Sequence, residues 1–169
     1  MITHLGIIMD GNRRWARQRG LSVLKGHKEG ASTLKRISEF CQKQNIKYLT
    51  VYALSSENLK KRKKEELAYH FNLHKKYLRK EILDSNRFER DGIKFNVFGR
   101  IHLLPKDEQK MIREAIEKTQ NNRNFFFNVC LAYNGQDEVV DAVRQIVSKG
   151  IKPEDITRQT IKNCLYTRD

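Results

Sequence analysis

Three short stretches of this chain combine residue types suited to work on phosphates. The first is Asp10-Gly-Asn-Arg-Arg-Trp15. An acid followed by glycine and asparagine permits a tight turn whose backbone N–H groups can face a phosphate. Arg13 and Arg14 add charge-assisted donors, and a carboxylate beside phosphate oxygens is a common way of holding Mg²⁺. The competing reading is a strand-to-helix turn in which Asp10 is a cap and the arginines are solvated. The second stretch is Gly26-His27, where glycine allows close approach and a histidine at a helix start can donate to an anion. A surface histidine near a cap is its plain alternative. The third is Ser55-Ser-Glu-Asn58, whose hydroxyls, acid and amide can position a substrate or orient a proton transfer. A capping box for a helical turn would use the same residues. Neither a Walker loop nor a G-x-G-x-x-G is present, so the common nucleotide-binding folds gain no support.

These stretches need a frame, and the apolar pattern supplies one. Leu5–Met9, Tyr48–Leu54, Ile93–Phe98 and Phe125–Ala132 are predicted as strands. Between them, Ala31, Leu34, Ile37 and Cys41 recur at helical spacing within 28–44, and a long helix is predicted over 65–90, striped by Leu67, Phe71, Leu78 and Ile82. Met111, Ile112, Ala115 and Ile116 mark the buried face of a helix starting near Pro105. Val139, Val143 and Ile146 mark the next, which stops at Gly150. Pro153 opens the last, carrying Ile156, Ile161 and Leu165. The alternation of strands and helices predicts an α/β fold, a parallel central sheet with helices on both faces, in one domain over residues 1–169. In such sheets ligands bind beyond the carboxyl ends of the strands, where Asp10 and Ser55 follow apolar runs. Lys60-Lys-Arg-Lys-Lys64 reads as a charge run between elements.

Composition bounds the function more loosely. Thirty-four Lys plus Arg against 20 Asp plus Glu give a formal charge of +14, which suits nucleic acid, anionic lipid headgroups or phosphorylated substrates. A mean hydropathy of −0.72 and no apolar run near the roughly 20 residues that span a bilayer describe a polar-surfaced globule. No export leader is evident in MITHLGIIMDG, so a cytoplasmic location is expected. Cys41, Cys130 and Cys164 are odd in number and far apart, which disfavours a disulfide framework or a zinc site.

Taken in order and at their spacing, Asp10–Trp15, Gly26-His27 and Tyr52–Asn58 resemble the successive signatures of cis-prenyltransferases, the undecaprenyl and dehydrodolichyl diphosphate synthases. The resemblance continues through Leu103-Leu-Pro105, Phe127–Tyr133 and Cys164–Thr167, and Arg13-Arg14 is closer to the archaeal and eukaryotic branch. It implies condensation of isopentenyl diphosphate with an allylic diphosphate, farnesyl or geranylgeranyl, to give a cis-polyprenyl diphosphate for lipid carriers. By this resemblance Asp10 binds Mg²⁺ and assists transfer of the diphosphate. Gly11, Asn12, Arg13, Arg14 and His27 cradle the allylic diphosphate, and Trp15 lies at that substrate. Ser55, Ser56, Glu57 and Lys61 flank the site, while Asn58 takes the place of a residue that aids proton removal. A homodimer and peripheral membrane contact through basic helix faces follow from the same likeness.

The match has departures. Val23 stands where the family usually has a diphosphate-binding Arg, Leu59 where an aromatic is common, Lys61 where Arg is frequent, and Gln136 where Arg is typical. The family also continues past Cys-Leu-Tyr-Thr with an Arg-x-Ser-Gly-Glu segment, whereas this sequence ends at Arg168-Asp169. The expectation is therefore the allylic half of a site in a domain incomplete at its C-terminus, inactive alone or completed by a partner in a split hetero-oligomer. A basic nucleic-acid-binding module is the remaining rival, without any recognisable nucleic-acid motif.

Overall fold

A computed structural model describes residues 2–168. Four strands, β1 (His4–Ile8), β2 (Tyr48–Ser55), β3 (Ile93–Phe98) and β4 (Phe125–Tyr133), form one sheet in the order β1-β2-β4-β3. Every neighbouring pair is parallel. Parallel neighbours require crossovers, and helices supply them: α1 (Asn12–Gln18) and α2 (Val23–Lys43) between β1 and β2, α3 (Ser56–Lys61), α4 (Lys64–Leu78) and α5 (Arg87–Arg90) between β2 and β3, and α6 (Lys106–Thr119) between β3 and β4; α7 (Gly135–Ser148) and α8 (Arg158–Cys164) follow the last strand.

Period-two alternation decides which face is the core. Leu49 and Val51 of β2, Ile93, Phe95 and Val97 of β3, and Phe125 of β4 are buried in one cluster with Cys41 of α2, Leu78 of α4 and Ile112 and Ala115 of α6. The other face carries a polar ladder. His4 Nε2 lies 2.8 Å from Thr50 Oγ1, Asn128 Nδ2 donates to the same oxygen at 3.1 Å, and Asn96 Nδ2 donates to Asn128 Oδ1 at 2.9 Å. At the carboxyl end of that face stands α7. Tyr133 donates to Glu138 at 2.6 Å, Ser56 donates to Asp137 at 2.8 Å, and Arg100 grips Asp141 with two bonds of 2.7 and 3.0 Å.

The strands fall where the apolar runs place them, but three helical expectations change. The long helix over 65–90 is three pieces: α4 passes into a π-helical turn, Arg79–Leu83, and restarts as α5 after Asp84-Ser85-Asn86. The helix opened by Pro153 is a 3-10 turn, Pro153–Asp155, followed by α8, whose Thr157 forms a capping box with Thr160. Val139 and Val143 do not face a core. Both are more than half exposed, because α7 packs through Ala142 and Ile146 against Cys164 of α8. All three cysteines are buried and free. Among the described residues no helix is long and apolar enough to cross a membrane.

Candidate active site

The turn after β1 is built by backbone geometry. Gly11 has φ +86°, a conformation that costs a side-chain-bearing residue free energy, and it caps α1 directly. Asp10 Oδ1 accepts from the Gly11 N–H at 2.6 Å, and Oδ2 lies 3.4 Å from Arg14 Nη2. The helix that follows is pressed against α2, and Gly26 makes this possible. A Cβ there would stand 2.2 Å from the Asn12 carbonyl oxygen and 3.0 Å from Ala16 Cβ. Gly26 thus serves a helix contact rather than an anion. Gly30 holds the Asn12 side chain in the same manner.

His27 lies one turn inside α2 rather than at its N-terminus, and it is buried. Its ring packs against His70 of α4, with centroids 4.1 Å apart and the planes tilted by 57°. Burial and then the Arg62 charge push its pKa down, so it is neutral at physiological pH. His27 Nε2 is 3.4 Å from Glu66 Oε1, and Arg62 Nη1 is 3.7 Å and Arg13 Nε 4.0 Å from that oxygen. Arg62 Nη1 also lies 2.5 Å from His70 Nε2. The polar string runs on through His74, whose Nδ1 is 3.0 Å from Oε1 of the fully buried Glu108. Arg62, Glu66, His70 and His74 recur every four residues. The sequence carried that spacing, but Arg62 fell in a run read as charge between elements, and Glu66, His70 and His74 fell in a helix read through its apolar stripe.

A single cavity of about 580 Å³ joins this group to the core. Its mouth is lined by Asp10, Asn12, Arg13, Arg14, His27 and Arg62, and its interior by Leu34, Val51, Leu78, Ile82, Phe95 and Ile112. Of the expected tunnel stripe, Leu78 and Ile82 line the cavity, whereas Leu67 and Phe71 do not.

The expected site residues therefore divide. Asp10, Gly11, Asn12, Arg13, Arg14 and His27 come together at the mouth. Trp15, Ser55, Ser56, Glu57, Asn58 and Lys61 stand outside the cavity lining. Ser55 is the N-cap of α3, accepting from the Asn58 N–H at 3.0 Å. Trp15 packs under Arg19, whose guanidinium is 4.6 Å from the ring centroid. Lys61 points to solvent and pairs with Glu57 at 3.1 Å, while its neighbour Arg62 turns inward.

Asp10 suits Mg²⁺. Its carboxylate is 81% exposed, and both oxygens keep lone pairs for an ion whose other ligands are water and phosphate oxygens. The cluster of His27, Glu66 and His70, with ligand atoms within 4.8 Å of one another, matches that ion poorly: two of its three donors are imidazole nitrogens, and Arg62 crowds the third.

Residues 8–169 match the family model described as "Putative undecaprenyl diphosphate synthase". The chain is 45% identical over 167 residues to the geranylgeranyl-diphosphate-specific tritrans,polycis-undecaprenyl-diphosphate synthase of Thermococcus kodakarensis, covering 96% of this chain and 62% of that protein. It is 40% identical to the isoprenyl transferase of Heliobacterium mobile, covering 98% of this chain and 64% of the relative. The chain thus spans somewhat less than two thirds of the length of these curated relatives. Among solved structures, lavandulyl diphosphate synthase from Lavandula x intermedia, in complex with dimethylallyl diphosphate, superposes with a TM-score of 0.90 at 34% identity, covering 98% of this chain and 71% of that one. The order of strands, the turn at Asp10 and these matches lead to one conclusion: the chain belongs to the undecaprenyl diphosphate synthase family of prenyltransferases.

Proposed function

We propose that this chain binds an allylic diphosphate, farnesyl or geranylgeranyl, at the Asp10–Arg14 mouth with its hydrocarbon in the adjoining cavity, for cis-condensation with isopentenyl diphosphate. One observation carries the reading: a single void joins the cationic Asp10–Arg14 turn, His27 and Arg62 to a long apolar wall that includes Leu34, Val51, Leu78, Phe95 and Ile112, with the ion-paired Lys35, Glu81 and Arg87 also on its lining. A prenyl diphosphate has that division of polarity, and apolar burial favours the tail at about 25 cal/mol per Å². Departure of the diphosphate builds negative charge on its oxygens. Arg13 and Arg14 stand at the mouth to stabilise that charge, and the apolar walls keep water from the reacting carbon. Mg²⁺ held by Asp10 would neutralise further charge on the leaving group. The names of the relatives support the substrate class, and the +14 charge supports contact with anionic membrane surface in the cytoplasm. A homodimer belongs to the same proposal.

Mg²⁺-dependent incorporation of labelled isopentenyl diphosphate into a longer product, abolished in Asp10→Ala, is the expected result. Saturable farnesyl diphosphate binding without incorporation supports the allylic half alone. DNA binding with a steep salt slope and no affinity for diphosphates would overturn both.

A further inference from the structure

The cavity wall carries charge at the end away from the mouth, where a hydrocarbon site has no use for it. Lys35, Glu81 and Arg87 line the same void as Asp10 and His27. Lys35 lies two helical turns beyond His27 on α2, about 12 Å further along that helix. Glu81 sits on the π-helical turn that follows α4. Its carboxylate holds both neighbours: Lys35 Nζ donates to Oε1 at 3.1 Å, and Arg87 Nη1 donates to Oε2 at 2.8 Å. Arg87 Nη2 also donates to Glu39 Oε1 at 3.2 Å, which ties α5 back to α2. Burial works to raise the Glu81 carboxyl, but the hydrogen bonds from Lys35 and Arg87 outweigh it and hold the group below the usual carboxylate range. Lys35 is 42% exposed and Glu81 15%, so the pair stands between the void and water. The turn that carries Glu81 is pinned from its other side. Lys118 of α6 donates to the carbonyls of Ile82, Leu83 and Ser85 at 2.9, 3.0 and 3.0 Å. Single π-helical turns are rare and concentrate at functional positions.

We propose that Lys35, Glu81 and Arg87 form an ion-paired latch at the far end of the prenyl cavity, which limits the tail length held inside and, when parted, lets a longer tail out between α2 and the π-helical turn. This rests on the allylic diphosphate reading above and names residues that decide which tails the site accepts. Each isoprene unit added to a tail buries apolar surface and tightens binding while the wall ahead is apolar. A tail that meets the ion pair must instead strip charged groups of water or partners, which costs more than the burial returns. The latch has a weak side. Lys35 is its exposed arm and can leave Glu81 for water, whereas Arg87 keeps Glu39 and Asp91 at 3.2 and 3.5 Å. Opening thus requires only the Lys35 side chain to move, with the backbone held by Lys118 in place. A bulky apolar plug would act through its size. This latch acts through charge, so removing the charge at similar size must shift the limit.

The test titrates the full 169-residue chain with farnesyl, geranylgeranyl and hexaprenyl diphosphates by calorimetry. In the parent the gain in affinity with tail length is expected to stop before hexaprenyl diphosphate. In Glu81→Met, similar in size and without charge, the ratio of hexaprenyl to farnesyl affinity is expected to rise about tenfold or more, which two newly buried methylenes suffice to give. Lys35→Met removes the exposed arm alone and is expected to fall between Glu81→Met and the parent. Arg36→Met, the neighbouring exposed cation outside the cavity lining, serves as the control. The ratio is the readout because a variant that merely loosens the fold moves all three ligands together. If Glu81→Met fails to fold, Lys35→Met carries the decision. An unchanged ratio in the folded Met variants of Lys35 and Glu81 overturns the proposal, as does a parent whose affinity rises evenly through all three ligands. A parent chain that binds none of them removes the proposed function itself, and the latch with it.

Discussion

Lowering the pH should unfold this protein through His70. The side chain is 7% exposed, and its pKa is lowered to about 3, first by burial and then by the charges of His27, Arg62 and His74. In the unfolded chain a histidine titrates near about 6.5. Between those values the unfolded state binds a proton that the folded state refuses, so stability is complete above the upper value and falls as pH falls. From about pH 7 to about pH 5 a single such group removes about 2 kcal/mol. His27, also lowered by burial and by Arg62, adds in the same direction, with Glu66 opposing. The perturbation is His70→Gln, which keeps an acceptor for Arg62 but does not titrate. Urea unfolding followed by circular dichroism at the two pH values should show the parent losing about 2 kcal/mol more than the variant. Equal losses in the two proteins would refute the claim that His70 is held neutral by its surroundings.

Further outcomes follow from single contacts. Gly26→Ala places a Cβ 2.2 Å from the Asn12 carbonyl oxygen, so α1 must shift. A loss of about 1–3 kcal/mol in chemical denaturation, with weakened diphosphate binding, is expected. Leu49→Ala empties a fully buried site in the sheet face and should cost about 2–5 kcal/mol by the same measurement, without changing the site's ligand preference. Arg100→Lys replaces the two bonds to Asp141 by a single point charge. Hydrogen exchange in α7 and α8 should then accelerate more than in β2 or β4. Asp10→Asn should abolish the Mg²⁺ dependence of farnesyl diphosphate binding, read by calorimetry with and without the ion, while leaving the melting temperature near that of the parent.

How much of this was legible in the sequence depended on whether a signal was local. The strands were, because runs such as Phe125–Ala132 combine high apolar content with bulky and β-branched residues. The Asp10–Arg14 turn was too, since Gly11 has a backbone requirement that few residues meet. The break at Asp84-Ser85-Asn86 carried turn-forming residues, yet the apolar stripe on either side masked it. Whether a charge points inward is a tertiary fact. Lys61 and Arg62 are neighbours of like charge, and only the end of α3 at Lys61 decides that one faces water and the other the cavity. His27 lies one turn further into α2 than its expected place at a helix start, and its burial arises from α4 packing over it, which no local signal reports. The valines of α7 show the opposite case: their spacing is helical, but periodicity reports an apolar face, not what covers it.

The most direct measurement is a crystal structure of this chain with a non-hydrolysable farnesyl thiolodiphosphate and Mg²⁺. The diphosphate is expected between Asp10, Arg13, Arg14 and His27, with the farnesyl chain running between α2, α4 and the sheet toward Phe95 and Ile112. A ligand seated elsewhere on the surface, with that cavity empty, would contradict the account.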